Sequence, residues 1–282
     1  MKIVAEGVSK GHAGIPLPQR DVEFSTGRVT VAEAEVGDQP TVLSLILSGR
    51  MVPDSGSVTV DGVDDAARIR ELVALVDAPD VSEPAADLAL RDVVREELMF
   101  SDRSATRAAV ARVLADAGAG DYAGVRVGDV PAGLRIRLMV ELAAFRRGVR
   151  ALVLASPDRH GGDPQEWLDI ADDLAARDFA VLVVCGAPSA QLVRPLLEAR
   201  AAAEAAAAEA AAREAAARDA AQQDAAAKAA RAATPRSVAD ASAAATPPTA
   251  NPPAAHPLTP PAPATPAAPT PALTDTEPES HA

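Results

Sequence analysis

The chain has 282 residues, of which 24% are charged and only 2% aromatic, and a net charge of −13. That length suffices for one large domain or two small ones, and the acidic balance works against binding a phosphate backbone, so no nucleic-acid partner is expected. One cysteine, Cys185, rules out an internal disulfide; the first residues lack the apolar stretch of a leader, and no apolar run reaches the roughly 18 to 20 residues of a membrane span.

A cytoplasmic protein that does not itself span a membrane is therefore expected. With so few aromatics, its core must rest on Val, Leu, Ile and Ala. Residues 3–8 predict a first strand, and residues 11–18, with two Gly and two Pro, a loop. Residues 22–24 and 28–34 read as strands around the turn Ser25-Thr26-Gly27, with Val29, Val31 and Ala34 toward the core. The apolar run 42–47 follows a short Gly-containing loop. The turn Pro53-Asp54-Ser55-Gly56 then leads into the strand Val58-Thr59-Val60 and the tight turn Asp61-Gly62.

Residues 66–71 predict a short helix and 72–76 a buried strand. Asp77-Ala78-Pro79 ends that strand, and Asp77 reads as an ordinary solvated loop carboxylate. Residues 90–100 and 106–117 have helical spacing; Thr106 or Ser104 suits the cap of the second, and Gly118 its stop. Pro131-Ala132 suits a helix start, with Leu138, Leu142 and Phe145 on one stripe. Residues 151–155 form a buried strand. Residues 164–178 form an amphipathic helix capped by Asp163, with Trp167, Ile170, Ala171, Leu174 and Ala175 inward. Residues 180–184 form the next buried strand, with Cys185 as a small core residue. The four histidines, His12, His160, His256 and His281, lack metal-like spacing.

The order of loop, helix, Pro-Asp-Ser-Gly turn, strand and Asp-Gly, together with Gly49, Gly133 and Pro157, resembles the ATP-binding cassette of ABC transporters over residues 3–197. The resemblance implies an α/β fold, a P-loop NTPase-like cassette with an antiparallel β subdomain and a helical subdomain formed by residues 90–117. It implies ATP as cofactor and, as partner, an ABC-type membrane subunit or a second cassette at the inner face of the membrane. A phosphate loop followed by a helix would hold the phosphates through backbone N–H groups. The residual nucleotide-binding positions are Gly37, Gln39, Thr41 and Val42, with Gly133 on the opposite motif.

Several of the family's chemical groups are replaced. The phosphate-binding lysine falls on Pro40, and the metal- and water-binding glutamine on Asp77 or Ala78. The Leu-Ser-Gly-Gly-Gln stretch becomes Val130-Pro131-Ala132-Gly133-Leu134, followed by Arg137, which matches a family arginine. The Asp-Glu pair that anchors Mg²⁺ and activates water becomes Ala155-Ser156. Asp158 lies beyond Pro157 and is poorly aimed to substitute. The γ-phosphate-sensing histidine gives way to Cys185-Gly186, and His12 lies near the adenine-stacking aromatic position. Gly161-Gly162-Asp163 resembles the dimer-contact loop. The expected protein is a degenerate, non-hydrolysing cassette without Mg²⁺, in a regulatory or partner-supporting role. The alternative is a scaffold that binds no nucleotide and acts through its C-terminal helix and tail.

Three segments follow: a cassette-like domain over 1–200, an Ala-rich helical spacer over 201–233, and a disordered tail over 234–282. Leu192, Leu196 and Leu197 predict a last helix packed on the domain. In the spacer, acids recur every five residues from Glu204 to Asp224. Five residues advance roughly 500°, so no apolar stripe forms and a semi-rigid rod on the order of 50 Å results. The tail holds 13 of the 24 prolines and lacks the means to build a core.

Overall fold

The computed structural model describes residues 1–34 and 37–233. Val36 of the phosphate-loop stretch and the whole Pro-rich tail lie outside the described residues. The chain opens with β1 (Lys2–His12) and β2 (Ile15–Ser25), then β3 (Val29–Glu33), α1 (Gln39–Leu47), β4 (Ser55–Val60), α2 (Ala66–Leu72) and β5 (Val73–Val76). The helices α3 (Leu90–Phe100), α4 (Arg107–Asp116) and α5 (Ala132–Ala144) follow. Strand β6 (Ala151–Ala155), α6 (Pro164–Ala175), β7 (Ala180–Cys185) and α7 (Ala187–Ala233) complete the order.

Two sheets form. One is antiparallel, in the order β2-β1-β4; the other is parallel, in the order β3-β7-β6-β5. The parallel sheet is the divide between two cores. Ala74, Val76, Leu152, Leu154, Val181, Val183 and Cys185 face one side, against α3 to α6. Val73, Leu75, Ala151, Val153, Ala155, Leu182 and Val184 face the other, against α1 and the antiparallel sheet. The period-2 pleat explains this strict alternation, and burial on both faces explains why β5, β6 and β7 read as continuous apolar runs.

Three local readings are corrected. The stretch 11–18 is not a loop: β1 and β2 form a hairpin that pairs Gly11 with Pro16 and His12 with Ile15. Strand β2 is at a sheet edge, where proline is tolerated. The second correction concerns 28–34, which makes no ladder with 22–24; β3 instead joins the parallel sheet beside β7. Val29 and Val31 pack on the helical side, whereas Ala34 belongs to the opposite core. Third, Leu192 is 64% exposed, and the buried stripe of α7 is Ala190 and Val193, with Leu196 and Leu197 beside them.

The helices keep their predicted caps. Thr106 accepts from the Ala109 N–H at 3.3 Å and Asp163 from the Gln165 N–H at 2.9 Å. The inward stripe of α6 is buried throughout. Helix α7 continues without a break past Pro195, and its described residues from 201 onward are exposed. No helix among the described residues is long and apolar enough to cross a membrane.

Candidate functional site

Three parallel strands, β5, β6 and β7, end side by side, and the loops that leave their carboxyl ends are the natural place for a ligand in an α/β sheet. Strand β3 leads into α1 on the same sheet. Gly37 lies in the turn before α1, exposed and at φ +79°. Gln39 is the first helical residue and Pro40 the second; Gln39 and Thr41 are half-buried and Val42 is buried. The Val42 N–H is spent on the Asp38 carbonyl at 2.9 Å. Asp38 stands at the N-cap, and its side chain makes no capping bond. The Gln39 Oε1 is buried without a hydrogen-bond partner among the described residues. Gly133 lies elsewhere, in the first turn of α5. A Cβ built there would stand 2.5 Å from Glu166 Oε2, so the carboxylate of α6 covers that turn.

The densest polar constellation lies at the ends of β5 and β6. Asp77 is 2% exposed, not solvated as its sequence position implies. It adopts a left-handed backbone at φ +53°, and Ser156, at the end of the neighbouring β6, does the same at φ +48°. Such conformations are uncommon outside glycine and concentrate at sites where the surroundings enforce them. The Asp77 Oδ1 accepts from Arg135 at 2.8 Å and lies 3.3 Å from Arg159; Oδ2 lies 2.7 Å from His160 Nε2. Arg159 also pairs with Glu83.

Burial, the largest influence on Asp77, pushes its carboxyl pKa up. The hydrogen bonds of His160 and Arg135 and the charges of Arg135 and Arg159 together outweigh it and leave the pKa below the ordinary carboxylate value. An ionised carboxylate only accepts, so His160 Nε2 carries the proton of that bond.

The turn that delivers Arg159 and His160 is fixed from below. Asp158 Oδ2 accepts from the Gly186 N–H at 2.9 Å, joining the end of β6 to the end of β7. Ala155 is fully buried, and Ser156 is 9% exposed. Cys185 is buried at the end of β7; burial, with the nearby charges of Asp158 and Glu33, pushes its thiol up to about 12. Among the described residues no cluster of three or more His, Cys, Asp or Glu is disposed to hold a metal ion. His12 ends β1 in the hairpin, exposed. Sequence reasoning missed Arg135, Arg159, His160 and Glu83. The one available signal was an Asp directly after a buried strand with two arginines following the later buried motifs.

Comparison with known proteins agrees with the architecture. The chain is 32% identical over 190 residues to "Phosphonates import ATP-binding protein PhnC 1" of Natronomonas pharaonis, a span of 64% of this chain and 80% of that relative. Among solved structures it resembles a nucleotide-free ATP-binding cassette from an ABC transporter, with a TM-score of 0.50 and 14% identity over 69% of this chain and 85% of the other. No family model matches. The extent of the sequence match and the two-sheet α/β architecture lead to one assignment: the chain belongs to the family of ABC transporter ATP-binding cassettes.

Proposed function

We propose that the protein is a cassette subunit that does not hydrolyse ATP and that supports a partner, an ABC-type membrane subunit or a second cassette, at the cytoplasmic face of a membrane. Residues 1–200 are its cassette domain and 201–233 a helical spacer. One observation carries the reading: β6 ends in Ala155 and is followed by Ser156, neither of which offers a carboxylate to anchor a metal or activate water.

The surrounding residues do not fit a magnesium triphosphate. Pro40 brings neither an N–H nor a positive charge to the first turn of α1. Asp38 already places a negative charge at the helix end that an incoming phosphate would need. The Asp77 carboxylate is committed to three cationic or donor side chains. Asp158 is committed to the Gly186 N–H. We assign any residual nucleotide contact, independent of magnesium, to the stretch of Gly37, Gln39, Thr41 and Val42, with Gly133 on the opposite motif.

The test is phosphate release by the full chain with ATP and Mg²⁺. It is expected to stay at the level of a protein-free blank; steady turnover by pure material defeats the reading. A second reading, a scaffold that binds no nucleotide, is favoured by the exposed run of α7 over residues 201–229. It is selected if ATP, with or without magnesium, leaves the thermal midpoint unmoved.

A further inference from the structure

We propose that Asp77, Arg135, Arg159, His160 and Glu83 form an internal clasp that shuts the crevice at the strand ends and holds α5 on the parallel sheet without a bound ligand. The inference rests on the cassette reading above but not on whether nucleotide binds.

The clasp joins three segments distant in sequence. Asp77 and Glu83 come from the chain leaving β5, Arg159 and His160 from the turn leaving β6, and Arg135 from the second turn of α5. Its members are graded from inside to outside. The Asp77 side chain is 0% exposed and that of Arg135 6%; His160 and Arg159 are near one fifth exposed, and Glu83 forms the rim. The inner ion pair is thus removed from solvent, where neither salt nor water competes with it.

The charges balance. Two carboxylates face two guanidiniums, with the His160 ring beside them, so the acidic and basic side chains are matched without a metal cation or a phosphate. Donors outnumber acceptors: Arg135 Nε and one terminal nitrogen of Arg159 are buried without partners among the described residues. Asp77 is the one carboxylate shared by both arginines and the histidine, and removing its charge weakens the bond of every inner donor and leaves Arg135 without a counter-charge. Asp77 and Ser156, each the residue after one of two adjacent strands, both have left-handed backbones. They turn the Asp77 side chain and the Pro157–His160 turn toward each other rather than toward an open crevice.

Hydrogen exchange on the full chain tests the clasp. In the wild type, segments 77–83, 132–137 and 156–161 should exchange slowly, and adding ATP and Mg²⁺ should change none of them. Asp77→Asn should speed all three together by about tenfold or more, the behaviour of one cooperative unit. Arg159→Ala, which leaves the Asp77–Arg135 pair intact, should loosen 77–83 and 156–161 but not 132–137. Ile3→Ala, in the opposite core, serves as the control for general loss of stability. The proposal is overturned if Asp77→Asn speeds only its own segment or reproduces the Ile3→Ala pattern. It is also overturned if Arg159→Ala changes nothing, or if nucleotide alters exchange at the three wild-type segments. Phosphate release would defeat the non-hydrolysing reading and leave this one standing.

Discussion

A carboxylate with no exposed surface, held between two guanidiniums and an imidazole, makes stability depend on its charge. The Asp77 pKa is depressed in the fold. Its stabilising contribution is therefore complete above the unfolded value of about 3.9 and lost as pH falls through the lower folded value. The charged and titratable groups facing it are Arg135 of α5, Arg159 and His160 of the β6 turn and, through Arg159, Glu83. Asp77→Asn should lower stability at neutral pH by about 3–5 kcal/mol, because it leaves the buried Arg135 without its counter-charge. It should also flatten the acid limb of a urea-denaturation series below about pH 4. A second residue is held by space. Gly56 adopts φ +75°, and a Cβ there would lie 2.2 Å from the Glu6 carbonyl oxygen. Gly56→Ala should exceed the roughly 1–2 kcal/mol of a left-handed alanine alone, measured by the same denaturation.

The elements were legible where their signals are local. Around α6 the cap Asp163, Pro164 at the first position and the stripe from Trp167 to Ala175 are local in sequence, the helix itself being 12 residues, and each is in place. Asp163→Ala should cost about 1 kcal/mol of stability, by loss of the bond to the Gln165 N–H. The hairpin at residues 11–18 was not legible, since two Gly and two Pro are loop signals until an edge strand gives the prolines a place without ladder donors. The partner of β3 was equally hidden. It pairs with β7, about 150 residues away, and a parallel register leaves no turn between the two from which to read it. Asp77 was misread for the same reason: its partners Arg135 and His160 lie 58 and 83 positions downstream. A lone carboxylate after a strand carries no mark of arginines so far along the chain.

At the scale of the molecule, the order of strands and helices along the chain was enough to identify the cassette architecture, because that order survives the replacement of individual side chains. What the replacements leave in the crevice depended on tertiary contacts. The residues of α7 from 205 to 221 are exposed. Glu209→Ala, which removes one half of an exposed ion pair with Arg213, should therefore leave the melting temperature within about 2 °C of the wild type by calorimetry.

The placement of Cys185 has a practical consequence. The one thiol is buried at the end of β7 with its proton held to about pH 12, so a thiol-specific dye added to the native protein finds no thiolate to attack. Colour should develop only as fast as β7 detaches, which turns an unmodified chain into its own stopwatch for rare excursions from the native state.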